Sequence, residues 1–144
     1  MSVVLQKRRQ IISAPIEVVW DQLTRIGEWP TWYSRVRDMR FVPPLEVGKR
    51  FEYSNDGTRI LAEVVELSHP HRFAVVGKAW GVTAHNEWQL IALSPTTTEV
   101  IVQEEMRGFL PWLLRGLFNR KLGEGLEFWL GSLAEWIRKN EGLS

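Results

Sequence analysis

The stretch ISAPIEVVWDQLTRIGEWPTWYSRV, Ile12 to Val36, decides how the chain is read. Ser13 is placed to cap a helix, Pro15 takes a first-turn position, and Glu17 suits a helix N-terminus. Val19, Trp20 and Leu23 fall on one helical face. Gly27 stops that helix, and EWPTWYSRV restarts as a second short helix with Pro30 near its beginning. The stretch carries three tryptophans. Trp20 is expected in the core, because it shares a face with Val19 and Leu23. Trp29, just before a proline, is expected on a surface rim. Trp32 suits core packing or ligand contact, since a partly buried amphipathic ring serves both.

Outward from this stretch the pattern changes. Val3 to Ser13 has β-rich ends and a polar middle, Gln6 to Gln10. From Arg37 to Arg107 the signals are those of strands: VRDMRFV, KRFEYS, TRILAEVVEL, RFAVVGKAW, GVTAHNEWQLIAL and TEVIVQEEM. Phe51 with Tyr53, and Trp88 with Leu90, each mark one strand face by period two. Asn55 to Gly57 is a hairpin turn, because Asn and Gly tolerate positive φ. Short strands joined by short turns predict an antiparallel sheet. Gly108 to Asn140 is helical: Leu114, Phe118, Leu122, Leu126, Trp129, Leu133 and Trp136 recur every three or four residues. A helix with one such stripe lies across a sheet. Its four glycines, at 116, 123, 125 and 131, cost about 1 kcal/mol each relative to alanine. Gly123 and Gly125 flank the stripe, for close packing or for a guest molecule.

Composition narrows the function classes. The 144 residues predict one domain, 1–144, and 44% apolar with 24% charged content is ordinary for a globular protein. A net charge of +1 offers nothing to nucleic acid. No apolar run spans a bilayer and no signal peptide is evident, so the expected location is cytoplasmic. With no cysteine, thiol chemistry and thiolate metal sites are excluded. His85 and Glu87 share a strand face without a third ligand, and His69 and His71 merely flank Pro70, so neither metal nor cofactor is expected. GxSxG, GxGxxG and P-loop motifs are absent, and no catalytic residue is assignable. Glu104 and Glu105 are adjacent on a strand and face opposite ways. Eight tryptophans imply either a very aromatic core or a cavity lined with rings.

The order strand, two short helices, six strands and long helix, with ISAPIEVVWDQL, WPTWYSRV, GKRFEYS, VVELSHPHRFAV and EWQLIALSPTTTEVIVQEE, resembles the START-like (SRPBCC) superfamily, in its polyketide cyclase/dehydrase and lipid-transport group. The likeness covers essentially the whole chain. It implies an α+β helix-grip fold, in which a seven-stranded antiparallel sheet curls around the C-terminal helix. It also implies a deep cavity between sheet and helix, partly roofed by the two short helices. Expected cavity walls come from Met39, Phe41, Phe51, Tyr53, Trp80, Trp88, Phe109, Trp112 and Phe118, with Trp32 near the mouth. The segment Phe109 to Phe118 is more apolar than one buried face requires. It either folds onto the end of the sheet or serves as a gate, a membrane-touching lip or a dimer surface.

The resemblance implies that the last strand lies beside the first. If Ile12 faces the core, as the family pattern suggests, then Gln10, Arg8 and Gln6 face inward; the other register buries Ile11, Arg9, Lys7 and Leu5, and either way cations meet the cavity side. Val100, Val102, Glu104 and Met106 share one face of the last strand. Arg8 is therefore expected to enter the cavity and pair with Glu104, directly or through a water, either as an internal ion pair that fixes the sheet or, with Gln10 nearby, to orient a ligand oxygen. Two functions follow. One is binding or transport of a small hydrophobic molecule such as a lipid, quinone, sterol or polyketide-like ring. The other is a cyclase, aromatase or dehydratase acting on a polyketide-like chain. The expected partner is a small hydrophobic molecule, with no nucleic acid and at most transient membrane contact. The chain is expected to be a monomer or a homodimer.

Overall fold

In the computed structural model, which describes residues 3–141, strand β1 (Val4–Ile12) is followed by helix α1 (Ile16–Thr24). A 3₁₀ turn (Ile26–Glu28) and the short helix α2 (Trp29–Trp32) come next. Six strands succeed them: β2 (Val36–Arg40), β3 (Arg50–Asn55), β4 (Thr58–Ser68), β5 (Arg72–Ala79), β6 (Val82–Ser94) and β7 (Thr97–Arg107). Helix α3 (Phe109–Leu113) and the long helix α4 (Arg115–Glu141) close the fold. The seven strands form one antiparallel sheet in the order β1-β7-β6-β5-β4-β3-β2. Neighbours in the sheet are neighbours in sequence, except where β1 pairs with β7. The helix-grip architecture expected from the sequence is the observed one. No helix among the described residues is long and apolar enough to cross a membrane.

Local chemistry accounts for the boundaries. Asn55 pairs with Thr58, so Asp56 and Gly57 form a two-residue turn with φ of 51° and 88°. Two positive φ values match the twist of a hairpin. Helix α1 starts later than a Ser13 cap would require. Pro15 is its N-cap and no side chain caps it. The chain turns first at Ala14, whose N–H reaches the Ile12 carbonyl and whose own carbonyl accepts from the Thr98 hydroxyl at 2.8 Å. At the other end of α1, the Trp29 indole N–H donates to the Leu23 carbonyl at 2.8 Å. A last-turn carbonyl that lacks a helical partner is thereby satisfied. Trp29 is 1% exposed and packs on Phe51, Tyr53, Phe73 and Trp129. The expectation of a rim position is therefore corrected: the residue before Pro30 points back under α1.

The core lies between the concave sheet face and α4. Period-two alternation places Phe51 and Tyr53 of β3, Trp88 and Leu90 of β6, and Val100, Val102 and Glu104 of β7 on that face, all buried. Strand β1 turns Val4 and Ile12 inward at its ends, with half-buried Gln6, Arg8 and Gln10 between them. Helix α4 answers with buried Leu122, Leu126, Trp129, Leu130, Leu133 and Ile137. The expected apolar stripe is thus buried from Leu122 to Leu133, with Trp136 partly covered. Phe118 is only partly covered, because the first turns of α4 overhang a hollow rather than the core, and Leu114, just before α4, is exposed.

Candidate functional site

That hollow is a cavity of about 620 Å³ between the sheet and the first half of α4, within the drug-sized range for ligand pockets. Aromatic rings of Trp29, Tyr33, Tyr53 and Trp129 close one end. Small residues leave the space: Ala79 of β5, Ala84 of β6 and Gly125 of α4. Gly77 also borders it, but a Cβ there would press on Ile60 at 3.0 Å. A Cβ at Gly125 would meet nothing within 4 Å. Met106, Phe118 and Leu122 complete the apolar wall. Exposed Asp56, Thr58, Lys78, Lys121 and Glu124 rim the opening. Across the opening Arg35 holds Glu124 with two hydrogen bonds, at 3.0 and 2.5 Å, while its guanidinium lies 4.1 Å from the Phe128 ring centre. This pair straps the start of β2 to α4, and it holds the Glu124 carboxyl below its ordinary range.

One acid stands deep in the apolar wall. Glu104 is 9% exposed and accepts a hydrogen bond from the Asn86 side-chain amide at 2.7 Å. The two are direct partners across β6 and β7. Asn86 in turn accepts the Trp88 indole N–H, which fixes its amide orientation. Burial raises the Glu104 carboxyl from 4.5 to about 7, against the opposing pull of the Asn86 hydrogen bond. Tyr53 is raised above its ordinary range, by burial and then by the Glu104 charge. Tyr33 is pushed up to about 12, mainly by burial, with Arg35 opposing. Both phenols therefore stay protonated near neutral pH and can donate. The cavity presents an acid that exchanges its proton near neutrality beside two neutral donors, an arrangement suited to an oxygen function on a bound molecule. The Trp129 indole N–H, buried without a partner among the described residues, is a further donor on this wall.

Of the residues singled out from the sequence, Tyr53, Glu104 and Phe118 line the cavity. Trp88 lies behind the wall, 5.5 Å from Trp129 and bonded to Asn86. Phe51 is buried against Trp29 and Phe41, and Met39 and Phe41 pack at the β2 end of the core. Trp32 is buried and stacked on Tyr33. Trp80, Phe109 and Trp112 are exposed. Gln10 lies opposite Val100, away from the cavity lining. The expected Arg8–Glu104 pair is corrected. In the register Arg8 faces Val102 and Gln6 faces Glu104. The long Arg8 side chain crosses to α4 instead, bonding Glu127 at 2.9 Å and Gln6 at 2.8 Å. Gly123 sits against it: a Cβ there would fall 2.5 Å from the Arg8 guanidinium. The two stripe glycines thus divide the two roles, Gly123 for close packing and Gly125 for open space.

Asn86 escaped the sequence reading, although the Trp88–Leu90 alternation extends back to it. The opposite face of the same strand holds His85 and Glu87, 3.3 Å apart and partly exposed. No group of three or more metal-ligating side chains gathers among the described residues.

A family model described as polyketide cyclase/dehydrase and lipid transport matches residues 5–137. No curated protein matches the sequence. Among solved structures, the Zhui aromatase/cyclase of Streptomyces sp. R1128 superposes with a TM-score of 0.83 at 11% identity, covering 94% of this chain and 93% of its own. A START superfamily protein of Mycobacterium smegmatis gives 0.82 at 12% identity, with 94% and 97% covered. Norcoclaurine synthase of Thalictrum flavum, as a point mutant with a transition-state analogue, gives 0.75 at 8% identity, with 95% of each chain covered. At these identities the likeness is one of fold.

Proposed function

Because the chain belongs to the polyketide cyclase/dehydrase and lipid-transport family, we propose that it binds a small, mostly apolar ring compound bearing an oxygen function. The observation that carries this reading is the cavity of about 620 Å³ with Glu104 buried in its wall. Aromatic and aliphatic surface would hold the body of the ligand. Glu104, Tyr53 and the Trp129 N–H would meet its oxygen, each otherwise short of a polar partner on the cavity side. The test is native mass spectrometry of the purified protein, together with titration of an apolar fluorescent probe. A co-purified adduct, or saturable probe binding that quenches tryptophan emission, is expected. Gly125→Leu, which fills the space opposite β5, should abolish both while the protein stays folded. Unchanged binding in that variant would sink the reading.

The acid near neutrality favours a second reading, proton transfer on the bound compound as in a cyclase, aromatase or dehydratase. Glu104 at about 7 could take a proton from a carbon beside a carbonyl and return it to an oxygen. Glu104→Gln separates the readings. If ligand binding survives and turnover of a polyketide-like substrate disappears, the enzyme reading stands. If the wild-type protein binds such substrates but never converts them, the carrier reading remains.

A further inference from the structure

Beside the cavity mouth the molecule carries a surface that the ligand site does not use. Trp80, Phe109, Trp112, Leu113, Leu114 and Leu117 are exposed there, Trp80 at 78% and Trp112 at 68%. The patch is built rather than frayed. Trp80, on the β5–β6 turn, packs edge-on against Phe109 with ring centres 5.3 Å apart. The Leu110 N–H donates to the Gly81 carbonyl, and Leu110 and Pro111 turn inward and pin α3 to that turn. Leu117 belongs both to this surface and to the cavity wall. Folded proteins seldom leave so much contiguous apolar area in water without a use for it.

Charge identifies the use. From Arg107 to Gly123 the sequence holds Arg107, Arg115, Arg120 and Lys121 and no acidic residue, and the β5–β6 tip adds Lys78. Arg107 is paired with Glu105. Lys78, Arg115, Arg120 and Lys121 are exposed and make no ion pair among the described residues. A second copy docked by the same patch would set these cations against their own equivalents, which opposes a symmetric dimer. An anionic bilayer offers what the patch lacks: an apolar layer at the depth of the tryptophans and negative headgroups at the level of the cations.

We propose that the Trp80–Phe109–Trp112 lip docks on the surface of an anionic lipid bilayer, with the cavity mouth turned toward the membrane. The lip would then let an apolar ligand pass between bilayer and cavity without crossing water. That consequence rests on the ligand-binding reading, whereas docking itself does not.

The test uses the full chain and vesicles with no added ligand, so its outcome is independent of cavity occupancy. Flotation should recover the protein with phosphatidylcholine–phosphatidylserine vesicles and not with phosphatidylcholine alone, with a blue shift of tryptophan emission. Arg115→Gln with Arg120→Gln should lower affinity roughly 30-fold, at about fivefold per cation. Trp80→Ala with Trp112→Ala should abolish recovery. Leu61→Ser, exposed on the outer face of β4, should change nothing. All these side chains are exposed, so circular dichroism should report native folds. Failure to float with anionic vesicles would overturn the proposal, as would flotation indifferent to both double variants. So would self-association in sedimentation velocity that Trp112→Ala abolishes.

Discussion

The space between the sheet and α4 is solid at one end and hollow at the other. At the solid end Trp29 meets Trp129 at 5.3 Å between ring centres, with Phe73 and Trp88 completing the cluster. At the hollow end the same two layers are faced by Ala79, Ala84 and Gly125. Protein interiors normally close such gaps. Here side-chain volume decides which end closes. The large rings act as spacers that hold the helix off the sheet, and the small residues keep the space beyond them empty.

That comparison can be attacked from the solid end first. Trp29→Ala removes a fully buried spacer and uncaps the Leu23 carbonyl. It should cost about 3–5 kcal/mol in chemical denaturation. A loss below about 1 kcal/mol would mean that the aromatic cluster does not set the layer spacing. Next in size is the acid in the hollow wall. The Glu104 carboxyl, raised in the folded state from 4.5 to about 7, leaves the protein most stable below pH 4.5 in this respect. Stability is then lost as pH rises toward 7, by about 3 kcal/mol in total. Glu104→Gln keeps an acceptor for Asn86. It should remove that pH-dependence and raise stability at pH 8, read from urea midpoints across the range. If Glu104→Gln leaves the slope at its wild-type value, the carboxyl is well solvated. The smallest effect separates the helix glycines. Gly125→Ala should gain about 1 kcal/mol from helix propensity, as should Gly131→Ala, which also meets open space. Gly125→Ala alone should weaken probe binding. Gly123→Ala should gain little, because Arg8 must leave its place against α4. Equal gains at 123 and 125 would erase the distinction between packed and empty positions.

Much of this architecture was legible in sequence because it rests on periodicity. Phe51 with Tyr53 and Trp88 with Leu90 kept their shared faces, and the Asp56–Gly57 turn followed from its tolerance of positive φ. Where the structure departs from the sequence pattern, the cause is side-chain reach across elements. Pro30 suggests a rim position for Trp29, yet where Trp29 sits depends on a carbonyl six residues upstream and on rings from three other elements. Arg8 lies on the strand face that turns Ile12 inward, but its partner lies on α4 rather than on the next strand. The hollow itself had no apolar signature. It is written in the small residues Ala79, Ala84 and Gly125, which come from three separate elements and are ordinary in each.

The pairing of β1 with β7 carries a consequence for how the chain reaches this state. Every other strand pairs with a sequence neighbour, whereas Ile12 finds Thr98 and Val4 finds Met106. The first strand must therefore wait, with its backbone groups unpaired, until the last one has been synthesised and the meander between them has formed. Closing so long a loop brings its reward late, which raises contact order and slows folding. During that interval the polar run Gln6 to Gln10 would discourage the waiting strand from pairing with another chain. The charges that look costly in the finished sheet would thus act as a safeguard while it is being made.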